Sequence, residues 1–227
     1  MFSSPPPGVH DLIRLDSAVS GSRLEGHGER QAMPGWACER LRAVPWVVVR
    51  RAGVSEEGSV NPKLAVGVRG PERWQRLALD IPLSGVAAVI RPEDLLSRIG
   101  GIARTRVESV PALAALPAVA SIMTRTGFAW GPGGSVGFEL ATDTVTARRD
   151  SDLDIVVRAP RPLERAQAAE LHSALSALPV RVDTQLETIL GAVVLEEFAC
   201  GPSAMLLRTP AGPRLVSDPW DAGELGR

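Results

Sequence analysis

The 227-residue sequence has few of the side chains that most often bind zinc or form redox pairs. Its two cysteines, Cys38 and Cys200, are far apart and fit neither a metal-ligand spacing nor a redox motif. The three histidines, His10, His27 and His172, are isolated from one another, and His172 lies in the pattern of an amphipathic helix. Zinc ligation is therefore disfavoured, and the cysteine usage indicates a reducing cytoplasm.

The sequence also lacks an excess of charge of either sign. With 25 basic and 26 acidic residues, the formal net charge is −1, so no global field attracts nucleic acid or an anionic membrane. Lys63 is the only lysine, and we interpret this arginine bias as a property of the genome rather than as a binding tract. The composition therefore predicts neither a nucleic-acid partner nor a membrane partner.

No apolar run is long enough to cross a bilayer. The first residues, MFSSPPPGVHDL, have neither a basic start nor an apolar stretch, so they predict no signal peptide. The most apolar segment, PALAALPAVASIM, is too short for a membrane span and contains two prolines. It is typical of a core helix, which we expect to be interrupted near Pro117, and the protein is expected to be cytoplasmic.

The sequence does contain enough apolar residues, 44%, for a substantial core in two compact halves. After a loosely ordered start and the short apolar piece HDLIRL, the segment WACERLRA favours a short helix. The segments PWVVVRRA, LAVGVRG and RWQRLALDIP favour strands, with a connecting loop over 53–62. We therefore predict a small, mostly β N-terminal domain over residues 1–92.

Helices and strands alternate in the second half of the sequence. RPEDLLSRIG predicts a helix start, FAW an extended run, SVGFELAT a helix, SDLDIVVRAP a strand, PLERAQAAELHSALSAL a helix that stops at Pro179, and VRVDTQLE a strand. AMLLRTPAGPRLVSDPW predicts a hairpin about its Pro-Ala-Gly-Pro turn. The expected fold class is α+β, with a C-terminal domain over residues 93–227 built on a mixed sheet flanked by helices.

Asp152 and Asp154 lie at the start of the apolar strand DLDIVV. Successive strand side chains point to opposite faces, so both carboxylates project from one face while Leu153 turns into the core. Neighbouring carboxylates repel each other unless a cation lies between them, and such oxygen-rich pairs suit Mg²⁺, which also binds substrate phosphates. The pair therefore predicts a magnesium site, with Mn²⁺ as the alternative metal.

Two further elements complete the predicted site. Gly133, Gly134 and Ser135 precede a helix, where unpaired backbone N–H groups and the helix dipole favour an anion, and Ser135 adds a hydroxyl donor. Asp183 lies on a later strand and supplies the third carboxylate that a two-metal site requires, with Glu187 as the weaker candidate. We therefore predict phosphate binding at the glycine turn and metal binding at the aspartates.

The order of these elements is more specific than any one of them. An isolated Asp-x-Asp is usually an exposed strand edge, and an isolated Gly-Gly-Ser is usually a turn with a helix cap. The loop GPGGSVG does not have the G-x-G-x-x-G spacing, so a dinucleotide site is disfavoured. A Gly-Ser that opens a helix, an Asp-x-Asp that enters a strand and a later Asp together indicate a functional site that binds metal and phosphate.

This order of motifs resembles the nucleotidyltransferases of the DNA polymerase beta type. The similarity narrows over the segments HDLIRL, VVVRRA, LAVGVRGPERWQRLAL, GGSVGFELAT, SDLDIVVRAP, VDTQLET and LLRTPAGPRLVSDPW. Together these look like the malonate decarboxylase holo-acyl-carrier-protein synthases, also called phosphoribosyl-dephospho-coenzyme A transferases. The resemblance covers nearly the whole chain and is most specific in its C-terminal half.

The resemblance implies a reaction and a set of roles. A phosphoribosyl-dephospho-CoA group would pass from its triphosphate precursor, triphosphoribosyl-dephospho-CoA, to a serine of the acyl-carrier subunit of malonate decarboxylase, with release of pyrophosphate. Asp152 and Asp154 would hold Mg²⁺ against the phosphates, and Asp183 would help bind a second metal and orient or deprotonate the serine. The Gly134–Ser135 turn would bind the pyrophosphate end, and the N-terminal domain would contact the carrier protein or the pantetheine arm.

Arginines are also expected to share the charge of a triphosphate. Arg148 and Arg149 precede the aspartates, and Arg208 and Arg214 lie on the predicted hairpin, although solvated surface arginines are the commoner outcome. We expect Trp130 and Trp220 to be core or packing residues rather than platforms on which a base stacks.

Two other functions remain open. The same fold and metal could serve another acceptor, such as a small hydroxyl compound or a protein side chain that receives AMP. Alternatively, the chain could be a non-catalytic binding module of nucleotidyltransferase shape, although the presence of all three aspartates and the glycine-serine turn weakens that alternative.

Overall fold

The computed structural model describes residues 6–17, 33–52, 62–72, 74–201 and 203–226. Two compact units divide the chain between Arg91 and Pro92, and each is built on its own sheet. The predicted α+β class is confirmed. His27, most of the predicted loop over 53–62 and much of the loosely ordered start lie outside the described residues.

The N-terminal unit is an antiparallel five-stranded sheet with the strand order β4-β3-β2-β1-β5. Alternating apolar side chains, such as Val47 and Val49 of β2, are buried in its core because strand side chains alternate between the two faces. Its elements are β1 (Leu12–Leu15), α1 (Gly35–Ala43), β2 (Trp46–Val49), β3 (Lys63–Arg69), β4 (Arg76–Pro82), a 3₁₀ helix (Leu83–Gly85) and β5 (Val86–Ile90).

The predicted helix WACERLRA and the three predicted strands of this unit are present as α1, β2, β3 and β4. Strand β5 was not predicted. Its sequence, VAAVI, is apolar throughout and has no polar residue to mark an exposed face, yet it forms a partly exposed strand paired with β1.

The C-terminal unit is a mixed six-stranded sheet with the order β11-β10-β9-β8-β7-β6, in which β7 and β8 are the parallel pair. Its strands are β6 (Ala129–Pro132), β7 (Leu153–Arg158), β8 (Val182–Glu187), β9 (Ala192–Val194), β10 (Met205–Thr209) and β11 (Gly212–Val216). Its α-helices are α2 (Arg104–Ser109), α3 (Pro111–Met123), α4 (Gly134–Thr142), α5 (Arg165–Ser176) and α6 (Leu195–Cys200). Residues Pro92–Gly101 and Ala222–Gly226 form 3₁₀ helices.

The crossover helix α5 makes the parallel pair possible, since parallel strands require a long connection between them. Ala168, Leu171 and Leu175 are its buried residues, at helical spacing, and α5 packs against α3 and α6. The helix ends at Ser176, shortly before Pro179, as the sequence predicts.

The predicted interruption of α3 near Pro117 is wrong, because the helix continues through this proline to Met123. Pro117 lies on the exposed side of α3, so its missing N–H removes one backbone hydrogen bond without disturbing the buried face. Leu113, Leu116 and Val119 are buried on that face, and their packing outweighs the local cost.

The remaining predicted elements of this unit agree with the structure in type. The predicted helix start at RPEDLLSRIG is a 3₁₀ helix, and the predicted hairpin consists of β10 and β11 with Thr209 paired to Gly212 across the turn. The short elements β9 and α6 were not predicted. Among the helices of the described ranges, none has both the length and the apolar character needed to cross a membrane.

Candidate active site

The register of the parallel pair places two of the predicted aspartates side by side. Asp154 on β7 and Asp183 on β8 are direct partners, with Leu153 opposite Val182 and Ile155 opposite Thr184. Neighbouring strands lie about 4.8 Å apart, and directly paired residues project from the same face of a sheet. We call this side the carboxylate face. Leu153 and Ile155 are buried on the other side.

Asp152 lies one residue before β7 begins and flanks this pair. It is partly buried, and its charge contributes to raising the pKa of Arg181, which is bonded to Asp183. Within the part of the chain that the structure describes, no three His, Cys, Asp or Glu side chains lie close enough together to hold a metal ion by themselves. The structure therefore brings Asp154 and Asp183 together and leaves Asp152 at their edge.

The glycine turn lies directly against Asp154. Gly134 has a φ of +55°, in the left-handed region that favours glycine, and a Cβ atom built there would overlap Asp154 Oδ2. The backbone N–H of Gly133 donates to the Asp154 carbonyl at 2.8 Å. The glycines therefore allow a helix to begin in contact with a carboxylate.

The N-terminus of α4 presents the donors that an anion requires. Gly133 is the N-cap residue, no side chain caps the helix, and its first turn contains no acidic residue. The first backbone N–H groups of an uncapped helix lack helical partners, and the dipole adds partial positive charge there. Ser135, partly buried in this turn, carries a further hydroxyl. A phosphate held here would lie beside Asp154.

A bidentate ion pair fastens α4 to the segment that leads into the aspartates. Arg106 Nε and Nη2 donate to Glu139 Oε1 and Oε2 at 2.8 and 2.9 Å, and the amides of Thr146 and Ala147 each donate to Oε2 at 2.9 Å. Burial raises the pKa of Glu139. The hydrogen bonds from Arg106 and the two amides lower this pKa by a larger amount, so it lies below its usual value. Neither partner of this pair was predicted from the sequence.

The other end of α4 is also held. Arg98 Nη1 donates to the carbonyls of Leu140 and Ala141 at 3.0 and 3.1 Å, which satisfies acceptors that the end of a helix leaves open. The 3₁₀ helix that carries Arg98 packs on β6, where a Cβ atom at Gly131 would overlap the Pro92 backbone. These contacts fix the helix whose N-terminus borders the carboxylate face.

Arg181, which the sequence did not predict as a site residue, lies on the carboxylate face beside Asp183. Its Nε donates to Asp183 Oδ1 at 2.9 Å. Its pKa is raised by the hydrogen bond to Asp183 and by the charges of Asp183, Asp152 and Glu196. The available signal was its spacing, since residues two apart near a strand point to the same side.

The arginines predicted to bind phosphate lie at different distances from the aspartates. Arg148 and Arg149 are exposed in the turn before Asp152, where the Arg148 backbone N–H donates to Ser151 Oγ at 2.9 Å. They therefore lie next to the aspartates along the chain.

Arg208 and Arg214 lie on the exposed hairpin. Arg208 pairs with Ala192, which pairs with Glu187, and Glu187 is four residues beyond Asp183 on β8. This places Arg208 about 13 Å along the strand direction from the Asp183 row and two strands to the side. The structure does not bring Arg208 together with the aspartates.

Glu187, the weaker metal-ligand candidate, and the two tryptophans lie away from the aspartates or serve packing. Glu187 is buried at the far end of β8 from Asp183. Trp130 is buried, whereas Trp220 donates from Nε1 to the Ala159 carbonyl at 2.8 Å and packs edge-on against Phe198. The prediction that both tryptophans serve packing is confirmed.

The donor set suits a magnesium ion that also binds a substrate. Mg²⁺ in proteins usually takes one or two carboxylates together with phosphate oxygens and water, rather than an all-protein cage. Asp154 and Asp183 supply two carboxylates in register. Asp183 already binds a positively charged group, the Arg181 guanidinium. Two carboxylates in register are therefore compatible with a divalent cation that takes its remaining ligands from outside the chain.

Comparison with protein families finds two models that match the chain. Residues 96–219 match the C-terminal domain of the phosphoribosyl-dephospho-CoA transferase MdcG, and residues 8–92 match the N-terminal domain of the same protein. The two matches cover most of both compact units, and the N-terminal match ends one residue after the boundary between Arg91 and Pro92.

Individual relatives are similar over nearly their whole length. The phosphoribosyl-dephospho-CoA transferase of Pseudomonas putida is 46% identical over 94% of this chain and 95% of that protein. The enzyme of that name from Azotobacter vinelandii is 41% identical over 94% of each chain. That of Klebsiella pneumoniae is 36% identical over 99% of this chain and 100% of its own. No solved structure matches the chain.

Proposed function

Because the chain belongs to the phosphoribosyl-dephospho-CoA transferase family, we propose that it moves this group onto the acyl-carrier subunit of malonate decarboxylase. The proposed donor is triphosphoribosyl-dephospho-CoA, and the proposed acceptor is a serine hydroxyl. The observation that carries the proposal is the pairing of Asp154 with Asp183 beside the N-terminus of α4. This arrangement provides a cation position and an anion position in contact.

The reaction is a phosphoryl-group substitution. The serine oxygen forms a bond to the α-phosphorus of the donor, and the bond from that phosphorus to the oxygen bridging to the β-phosphorus breaks. Pyrophosphate leaves with the bonding electron pair, and the serine proton passes to a base. The product is a phosphodiester that links the carrier serine to the phosphoribosyl-dephospho-CoA group. Positioning and charge stabilisation carry most of the catalysis in such transfers.

The three aspartates are proposed to have different roles at the reacting phosphorus. A divalent cation, when bound, supplies charge stabilisation and holds the phosphate oxygens in place. Asp154 and Asp183 are proposed to hold it, with Asp152 assisting from the edge of the pair. Asp183 is also proposed to orient the serine hydroxyl and to receive its proton, as part of a two-metal arrangement.

The helix N-terminus is proposed to bind the pyrophosphate end of the donor. The backbone N–H groups at Gly134 and Ser135 and the Ser135 hydroxyl are proposed to donate hydrogen bonds to this charge at the uncapped start of α4. Arg148 and Arg149 are proposed to share the remaining charge because a guanidinium binds phosphate through two parallel hydrogen bonds.

The test is the mass of the purified carrier subunit after incubation with this protein, Mg²⁺ and triphosphoribosyl-dephospho-CoA. We expect a gain equal to one phosphoribosyl-dephospho-CoA group, because transfer releases only pyrophosphate. Three matched reactions use EDTA, a carrier whose acceptor serine is replaced by alanine, and ATP as donor.

The reactions separate the proposed function from its alternatives. Loss of the gain with EDTA and with the alanine carrier supports metal-dependent transfer to that serine. A gain of AMP with ATP alone would show a nucleotidyltransferase of different specificity. An unchanged carrier mass with every donor would contradict catalysis and favour a binding module.

A further inference from the structure

We propose that Arg181 is a resident counter-cation that holds Asp183 until the divalent metal displaces it, whereupon its guanidinium binds the phosphates of the donor. This inference rests on the proposed function, because it assumes that Asp183 binds metal. It assigns to one side chain the coupling between metal binding and donor binding.

The first observation is the bond between the two side chains. Arg181 Nε donates to Asp183 Oδ1 at 2.9 Å, on one of the two carboxylates proposed to hold metal. A metal bound to the same oxygen competes with this hydrogen bond, and the guanidinium charge would repel it. Metal binding at Asp183 Oδ1 therefore requires the Arg181 side chain to move.

The second observation is that the backbone of Arg181 is anchored in the sheet whereas its side chain is largely exposed. The Arg181 carbonyl accepts a hydrogen bond from the Leu153 amide at 2.9 Å, which anchors the residue to the strand that carries Asp154. Its side chain is 69% exposed, and that of Asp183 is 41% exposed. An exposed ion pair is weak, so a divalent cation can displace it while the sheet remains unchanged.

The third observation is the surrounding charge. Besides Asp183, the charges of Asp152 and Glu196 act on the Arg181 guanidinium in its present position. Donor phosphates bound at the α4 N-terminus bring negative charge to the same side, and a guanidinium pairs with phosphate through two hydrogen bonds. Bound metal would displace Arg181 from Asp183 and leave it available to the donor phosphates. Bound donor would attract Arg181 away from Asp183 and so favour metal binding.

The experiment measures Mn²⁺ binding by electron paramagnetic resonance of the free ion, with full-length protein and no donor. We expect Arg181→Gln to bind Mn²⁺ about two- to fivefold more tightly than the unaltered protein, the size of effect that an exposed ion pair produces. In the transfer assay, the KM for triphosphoribosyl-dephospho-CoA should rise about tenfold because a charged hydrogen bond is lost. In Arg181→Lys the Mn²⁺ affinity should return closer to that of the unaltered protein than the KM does. Lysine keeps the positive charge but not the paired donors.

Arg104→Gln is the matched control. Arg104 makes the same type of exposed bond, from Nε to Glu108 Oε1 at 2.7 Å, on α2. This variant should change neither Mn²⁺ affinity nor KM, and thermal unfolding should show that all variants fold.

Each outcome decides the inference. Unchanged or weaker Mn²⁺ binding by Arg181→Gln, or an unchanged KM, overturns it. If carrier mass still increases in that case, only the role of Arg181 fails and the proposed function stands. If neither protein binds Mn²⁺ and no carrier is modified, the metal-dependent function fails as well.

Discussion

Replacing Asp154 with asparagine is expected to abolish measurable transfer while the protein stays folded. Asparagine has nearly the same shape as aspartate, so the contact with Gly134 and the backbone bond to Gly133 can persist. The variant loses the negative charge proposed to hold the metal against the donor. Because metal stabilisation of the reacting phosphate contributes several kcal/mol, the rate should fall about a thousandfold or more.

The measurement is the initial rate of carrier mass gain, with thermal unfolding as the check on folding. Asp143→Asn is the matched control: Asp143 is an exposed carboxylate at the C-terminal cap of α4, in a left-handed conformation that asparagine tolerates. It should retain the unaltered rate. An Asp154→Asn rate within about tenfold of the unaltered protein would correspond to under about 1.4 kcal/mol and would remove Asp154 from the proposed metal site.

Gly134→Ala is expected to lower the transfer rate by about two orders of magnitude, since a displacement of about 1 Å at a reacting group has effects of that size. The added Cβ atom would overlap Asp154 Oδ2, so the carboxylate or the start of α4 must move. The left-handed backbone at this residue adds a cost of about 1 kcal/mol in the free energy of unfolding.

A second glycine separates backbone strain from the effect on the carboxylate. Gly127 has a φ of +64°, close to the +55° of Gly134, but a Cβ atom there would meet only the end of the Arg161 side chain at 3.6 Å. Gly127→Ala should therefore lose similar stability and keep its transfer rate. Equal losses of rate in the two variants would show that strain alone, and not the contact with Asp154, limits activity.

Local patterns were sufficient to predict the elements that carry the site. The apolar run in SDLDIVVRAP predicted β7, the alternation of VRVDTQLE predicted β8, and the glycines predicted the start of α4. These features depend on neighbours in the sequence, because strand alternation and helix starts are local properties.

The partners of the site residues depend on long-range packing and could not be predicted. The pairing of Asp154 with Asp183 follows from how α5 returns the chain to the sheet. The distance of Arg208 follows from the insertion of β9, a three-residue strand, between β8 and β10. No local pattern marks so short a strand.

At Pro117 a local sequence rule gave a wrong prediction because tertiary packing decides the structure there. Local rules predict a break in the helix, because proline lacks the N–H that a helix interior requires. The structure retains the helix because the apolar residues on both sides of Pro117 are buried on one face. Tertiary packing therefore overrides a local preference at this point.

The most direct test of the central claim is the position of Mn²⁺ in crystals of the protein grown with Mn²⁺ and triphosphoribosyl-dephospho-CoA. Anomalous scattering should show a manganese ion about 2.2 Å from a carboxylate oxygen of Asp154 and of Asp183, with donor phosphate oxygens completing its coordination. Manganese bound to the donor phosphates but to neither aspartate would contradict the account.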